Sequence, residues 1–301
     1  YFGARDDIHG RELWVSDGSE AGTKMLKDIR PGTGDGLTSI EFAVFKGELY
    51  FQGNDGNNGR ELWKTDGTAA GTVLVKNFGS GSSDPGGFTV FGDSLYLTAD
   101  GPQGDELYKS DGTSAGTVLV KDINPGSRGS FVGTFAPVIV GGQMFFMAND
   151  GIHGYELWKS DGTEAGTTLV KDIEPGEDNS FPGVGIEIGG VLIFLAGQTG
   201  TGLELWKTDG TPEGTTILKD IYPGNQDSLR SLYGFNSNSV FGGELYFDAH
   251  DGVHGRELWK TDGTEAGTVL VVDLVPGPEG STPIGFAQIG GKLLFSAGNF
   301  S

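Results

Sequence analysis

The sequence predicts an all-β fold built from six copies of one four-stranded unit, and three observations carry that reading. Gly supplies 55 and Pro 12 of the 301 residues, too much punctuation for long helices but suited to short strands joined by tight turns. The chain also repeats itself. Glu-Leu-Trp, or Glu-Leu-Tyr in the third copy, begins at Glu12, Glu61, Glu106, Glu156, Glu204 and Glu257, each followed two residues later by Asp-Gly-Thr or Asp-Gly-Ser. The spacings of 49, 45, 50, 48 and 53 residues mark a supersecondary unit rather than a short motif. Within one copy, finally, four apolar or β-branched runs alternate with Gly-rich turns: Phe-Thr-Val-Phe from Phe88, Ser-Leu-Tyr-Leu-Thr from Ser94, Glu-Leu-Tyr-Lys from Glu106, and Thr-Val-Leu-Val-Lys-Asp-Ile from Thr117. These read as strands A to D of an antiparallel sheet.

A four-stranded sheet recurring at this period is the unit of a β-propeller. Helical repeats would need a 3.6 period that is missing, and β-solenoid coils carry shorter, parallel strands. The expectation is one six-bladed β-propeller over residues 1–301. The chain opens in a strand B (Tyr1-Phe2) and closes after another (Lys292 to Ser296), so a last strand A near Phe286 to Ile289 is predicted to complete the first blade. The ring would then be closed by strands from both termini, leaving no free sheet edge. Because the sequence starts at Tyr1 with no Met and no signal-like stretch, it is read as an excised piece of a longer precursor.

Length variation among the copies locates the expected binding face. From each Glu to the Pro-Gly position is 19 residues, with Ser80 standing for Pro in the second copy, and from the Gly before strand B to the next Glu is 14. All variation falls between strand D and the next strand A, where the intervals are 16, 12, 17, 15 and 20. In an antiparallel blade this connection and the B-to-C hairpin emerge together, and variable loops on a fixed scaffold carry binding. The expected ligand-binding residues are therefore Asp35, Arg128, Asp178, Asp227, Arg230 and Tyr233. The opposite side carries the uniform Asp-Gly-Thr turns, whose carboxylates are expected to accept hydrogen bonds from their own turn, and each motif Trp is expected to wedge between blades.

A formal net charge of -21 repels phosphate and anionic headgroups, which argues against nucleic acid and membrane insertion. The absence of Cys removes disulfides and thiolate chemistry. In the B-to-C loops an Asp recurs six residues before the Glu, broken only by Gln198. The pairs Asp6 and Glu12, Asp55 and Glu61, Asp100 and Glu106, Asp150 and Glu156, and Asp251 and Glu257 are hard oxygen donors of the kind that Ca2+ prefers. Ca2+ is thus the cofactor expectation; the competing reading is that these carboxylates cap their hairpins. His9, His153 and His254 sit in the same loops but one per blade, so they cannot gather into a zinc site. The same dispersal leaves no convergent acid-base pair and no catalytic residue to name.

The recurrent Glu-Leu-Trp-x-x-Asp-Gly-Thr, as in Glu61 to Thr68 and Glu257 to Thr264, resembles the ELWxxDGT repeat family of bacterial proteins, with departures at Tyr108 and Ser19. The resemblance spans essentially the whole chain. It implies a secreted or cell-surface bacterial repeat protein, part of a larger array or surface assembly, with no established enzymatic activity. Two readings are open. One is a non-catalytic extracellular binding or surface-scaffold module, calcium-stabilised, that recognises a polysaccharide or protein partner through the variable loops. The alternative is a carbohydrate-active enzyme, a glycosidase or polysaccharide lyase, with acidic residues such as Glu41 and Glu187 at the ring centre, on fold-level analogy alone.

Overall fold

The computed structural model describes residues 1–131, 136–183, 185–230 and 239–298. Among them all regular structure is β. No helix long and apolar enough to cross a membrane is present among the described residues. The chain divides into two compact units: Tyr1–Pro137 with Asn149–Gly151 and Gly162–Thr167, and Val138–Ala148 with Ile152–Asp161 and Thr168–Ser301.

The strands of the first unit form one three-stranded and two four-stranded antiparallel sheets. These are β1 (Phe2–Asp6), β2 (Gly10–Val15) and β3 (Lys24–Lys27); then β4 (Leu37–Phe45), β5 (Glu48–Asn54), β6 (Arg60–Thr65) and β7 (Val73–Lys76); then β8 (Gly86–Phe91), β9 (Ser94–Gly101), β10 (Gly104–Ser110) and β11 (Val118–Lys121). The remaining strands form three further four-stranded sheets and a hairpin. They are β12 (Val138–Val140), β13 (Gln143–Asn149), β14 (Tyr155–Ser160) and β15 (Thr168–Lys171); β16 (Ile186–Ile188), β17 (Val191–Gln198), β18 (Gly202–Thr208) and β19 (Thr216–Lys219); β20 (Val240–Phe241), β21 (Glu244–His250), β22 (Arg256–Thr261) and β23 (Val269–Val272); and last β24 (Ile284–Ile289) with β25 (Lys292–Ser296). The four runs read from the third copy coincide with β8 to β11.

The sheet expected to join strands of both termini does not form among the described residues. β1 pairs with β2 in the three-stranded sheet, and β24 pairs with β25 in a two-stranded sheet of its own, so no sheet mixes strands of both termini. The physical reason is redundancy: both ends supply a strand B, and β2 already has that partner in β1. The β24–β25 hairpin leaves Ile284, Ile289 and Leu294 exposed.

The Glu-Leu-Trp strand explains how successive sheets pack. Neighbouring side chains on a strand face opposite ways, so Leu and Trp serve two different interfaces. Leu13 packs forward with Leu26, Ile29 and Leu37 against Trp63 of the next repeat, while Leu62 packs with Val75 and Phe78 against Tyr108. In the second unit Leu157, Val170 and Ile173 meet Trp206, and Leu205, Leu218 and Ile221 meet Trp259. A register shift between the Leu and the aromatic recurs where this strand pairs with strand D, as at Leu62/Trp63 and Leu205/Trp206; a bulge of this kind re-aims a side chain without ending the ladder. At Trp63, Tyr108, Trp206 and Trp259 the motif aromatic is therefore the wedge that the sequence predicts.

A lysine at the end of strand D completes the junction. Lys27 Nζ donates to the Thr72 carbonyl at 2.6 Å and lies 5.9 Å from the Trp63 ring centroid. Lys171 and Lys219 repeat this at Thr215 and Trp206, and at Thr268 and Trp259. The sixth repeat carries Val272 at that position, exposed beside Val271 and Leu274.

Because Trp206 is buried against three aliphatic side chains of the preceding repeat, its truncation to Ala leaves a cavity, and a loss of about 3–5 kcal/mol of stability is expected. Urea denaturation followed by circular dichroism measures it; a change below about 1 kcal/mol would show that the aromatic is not the wedge.

Candidate functional site

The turns on one side of each sheet are held by their own side chains. In the second repeat Asp66 Oδ1 accepts the Thr68 backbone N–H at 2.9 Å and its hydroxyl at 2.7 Å, and Thr68 Oγ1 accepts the Gly71 N–H at 2.9 Å. The Thr68 hydroxyl, followed by its backbone N–H, holds the Asp66 carboxyl below its usual range. The same pattern recurs at Asp17, Asp111, Asp209 and Asp262. Gly67, at φ 92°, takes the left-handed turn conformation that other residues resist. The turn carboxylates thus accept hydrogen bonds from their own turns, as the sequence suggests.

On the other side the motif glutamates are buried latches. Glu12, Glu61, Glu106, Glu156, Glu204 and Glu257 are all fully buried. Each accepts backbone N–H groups from the segment after strand D, 17 and 18 residues on, except that Glu61 takes only that of Phe78. Glu204 Oε2 takes the Ile221 N–H at 3.1 Å and Oε1 the Tyr222 N–H at 3.4 Å; Glu257 takes those of Leu274 and Val275 at 3.1 and 3.0 Å. A serine hydroxyl donates as well: Ser130 to Glu106 at 2.5 Å, Ser180 to Glu156 at 2.6 Å, Ser228 to Glu204 and Ser281 to Glu257 at 2.5 Å, and Ser83 to Glu61. In the first repeat Gly36 takes the serine position, where a Cβ would lie 2.3 Å from the Glu12 oxygens. Burial outweighs these bonds and pushes Glu12, Glu106, Glu156 and Glu204 up to about 7.

The hairpin aspartates answer to other donors. Asp6 accepts the Ile8 and His9 N–H groups and holds His9 Nδ1 at 2.8 Å. Those bonds, the His9 ring foremost, lower Asp6 to about 2 and raise His9. Asp251 repeats this with Val253 and His254, and Asp55 with Asn57 and Asn58. Asp100 and Asp150 stand at the same turn position. The carboxylate pairs assigned to Ca2+ in the first, second and sixth repeats are thus divided between a hairpin cap and a buried latch, and among the described residues no three His, Asp or Glu side chains gather where a metal ion would sit.

The residues assigned to ligand binding divide among several places. Asp35 accepts the Arg11 N–H at 2.9 Å and pairs with Arg5, in the first unit. Arg128 and Arg230 are exposed. Tyr233 lies outside the described residues. Asp178 and Asp227 come together, and this is the constellation that stands out: both line a cleft of about 620 Å3 with Glu174, Asn179, Gln198, Thr199 and Asn225. The volume is within the range of small-ligand sites.

The β17–β18 hairpin crosses this cleft, and the connections of the fourth and fifth repeats flank it. Glu174 accepts the Thr199 N–H, Asn225 Oδ1 the Gly200 N–H at 2.6 Å, Asp227 Oδ1 the Leu203 N–H at 2.8 Å, and Asn179 Oδ1 the Tyr155 N–H at 2.8 Å. Gln198 breaks the Asp series because its amide reaches the Ile173 carbonyl at 2.8 Å. Three carboxylates and four amide or hydroxyl side chains, with no Lys or Arg among the lining residues, favour a ligand that is rich in hydroxyls or cationic.

Glu174, Asn179, Asn225 and the latch serines escaped the sequence reading, although a signal existed. The position 18 residues after each motif Glu is Arg30, Gly79, Asn124, Glu174, Tyr222 or Val275, variable inside an interval of constant length. The side chains of Arg30, Asn124, Glu174 and Tyr222 reach the hairpin of the next repeat, as Tyr222 does at Gly252. The serine 24 residues after the Glu recurs at Ser130, Ser180, Ser228 and Ser281.

No protein-family model matches this sequence, and no curated protein sequence is similar to it. Among solved structures, a point mutant of puromycin hydrolase complexed with PGG aligns with a TM-score of 0.50 at 13% identity, over 95% of this chain and 46% of that one. A Mycobacterium tuberculosis puromycin-hydrolyzing peptidase aligns with a TM-score of 0.48 at 12% identity, over 97% and 47%. A Trypanosoma rangeli sialidase in complex with a difluorosialic acid aligns with a TM-score of 0.42 at 12% identity, over 99% and 56%. The chain spans about half the length of these proteins, and at such identity the first likeness speaks for the all-β fold alone.

The latch makes stability depend on pH with a definite sign. A carboxyl whose folded value is raised from 4.5 to about 7 binds more protons folded than unfolded between those values. Its contribution is complete below 4.5 and is lost as pH rises through 7. The turn and hairpin aspartates, held low, act oppositely and lose their contribution below about 3.8. The melting temperature is therefore expected to peak near pH 4 to 5 and to fall toward pH 8, with Glu204→Gln showing a shallower fall. Calorimetric scans across pH 3–9 measure this, and a melting temperature that rises from pH 5 to 8 contradicts it.

Proposed function

We propose that this chain is a non-catalytic polysaccharide-binding module of a secreted or cell-surface repeat protein. Its repeats are the blades of a β-propeller, and the ligand lies in the cleft between the connections of the fourth and fifth repeats. The observation that carries the reading is that cleft, which gathers Asp178, Asp227, Asn179, Asn225 and Glu174 around one hairpin on the variable side of the blades. Carboxylate and amide oxygens accept from sugar hydroxyls, and amide N–H groups donate to them. The recurrence of Glu-Leu-Trp-x-x-Asp-Gly-Thr, which resembles the ELWxxDGT repeat family, supports export and surface display.

Several features support binding over turnover. The motif glutamates are engaged as latches in every repeat, and Glu41 accepts the Phe88 N–H of the neighbouring sheet. The cleft carboxylates hold backbone donors in place, a positioning role that suits a rigid recognition surface. The proposal does not depend on calcium: Asp6, Asp55 and Asp251 accept N–H groups of their own hairpins, and the motif glutamates accept those of the segment after strand D.

A glycan array, followed by titration calorimetry with the strongest binder, tests the proposal. The Asp178 side chain is exposed and takes no hydrogen bond among the described residues, so Asp178→Ala is expected to leave the melting temperature unchanged and to weaken binding tenfold or more, about 1.4 kcal/mol. Retention of no glycan, or equal affinity of the variant, rejects the cleft as the site. Release of shortened saccharides rejects the non-catalytic half of the proposal.

A further inference from the structure

Phe181 stands apart from every other aromatic of the described chain. It is 44% exposed, and beyond Tyr1 and Phe2 no other Phe, Tyr or Trp among the described residues is exposed. Its φ is 44°, a left-handed conformation that disfavours a bulky side chain. Its ring lies nearly parallel to that of Tyr155, at 14° and 5.8 Å between centroids. Its N–H donates to the Tyr155 carbonyl at 3.1 Å, and Asn179 Oδ1 accepts the Tyr155 N–H.

The fold does not ask for an aromatic here. The residue after the latch serine has the same conformation in the second and sixth repeats, where it is Asp84 at φ 47° and Thr282 at φ 45°. Asp tolerates this backbone, and Thr282, although β-branched, is small and polar; neither position uses an aromatic. In the third and fifth repeats the position is apolar but buried, as Phe131 and Leu229. Only the fourth repeat places an aromatic ring in a strained and exposed setting, and it does so on one of the two connections that line the large cleft, the one that carries Asp178 and Asn179. Two residues of chain, about 7 Å when extended, separate Asn179 from Phe181. Strain retained where the scaffold has a cheaper residue available points to use.

We infer that the Phe181 ring, backed by Tyr155, is the stacking platform for a pyranose ring of the ligand. It assigns the ligand to glycans whose sugar faces present only C–H groups, as in β-linked glucans with all-equatorial hydroxyls. The proposal rests on the cleft as a glycan site. An aromatic face carries the negative end of the ring quadrupole and attracts the weakly positive C–H hydrogens, while the adjacent carboxylates and amides take the equatorial hydroxyls.

Titration calorimetry of the full chain with cellohexaose and with mannohexaose tests this, using Phe181→Ala, Phe181→Gly and Phe181→Tyr. Cellohexaose is expected to bind more tightly than mannohexaose. Ala and Gly are expected to weaken cellohexaose at least tenfold and Tyr to restore it, while Phe181→Gly melts no lower than the wild type because glycine accepts the left-handed backbone. Equal affinity of wild type and Phe181→Ala overturns the platform and leaves the cleft standing. A wild type that retains no glycan on the array overturns both. Preference for mannohexaose overturns the equatorial assignment, and a lowered melting temperature in both Ala and Gly, with affinity unchanged once folded, assigns Phe181 to folding instead.

Discussion

Each repeat depends on one buried carboxylate. The motif Glu begins the Leu-Trp run of strand C and, from a fully buried position, gathers the N–H groups that strand D leaves behind as the chain turns toward the next sheet. That segment has no ladder partner for those donors, and unpaired buried N–H groups are costly. A carboxylate can accept several of them at once, and the serine hydroxyl adds a third donor. The latch thereby fixes where the variable connection starts, which is why length differences are confined to the stretch between the latch and the next strand A.

From that anchor the alternation of strand C sets the rest. Because Leu and Trp point to opposite faces, the first, second, fourth and fifth repeats each present an aliphatic socket to the aromatic plug of the repeat that follows, and in the first, fourth and fifth the strand D lysine adds a charge-assisted bond across the same junction. Val272 interrupts this series with an apolar side chain. The cost of the scheme is electrostatic: several glutamates are buried without a cation, so they hold protons near neutral pH where exposed ones would not.

The candidate site was partly legible in the sequence. Asp178 and Asp227 could be named because they fall in the intervals that vary in length. Asp35 and Arg128 satisfied the same criterion, yet Asp35 caps the Arg11 N–H and Arg128 is simply exposed. Chain position says which residues can reach the variable side, but not which side chains converge. The Asp and Glu six residues apart looked like one oxygen-rich site. Strand geometry instead sends the Asp into its own turn and the Glu into the core, a distinction that sequence spacing does not contain.

The repeat, its period, the four strands of the complete copies, the Asp-Gly-Thr turns and the packing of the buried motif aromatics are determined by the sequence alone, because local turn chemistry and side-chain alternation dictate them. Only the tertiary structure decided what the termini pair with, what the buried glutamates bind, and that Glu174, Asn179, Gln198 and Asn225 border one cleft with the exposed Phe181 ring on the same connection. Those outcomes rest on which backbone donors are left unpaired and on how connections from two different repeats approach the same hairpin, and both depend on distances that no linear pattern records.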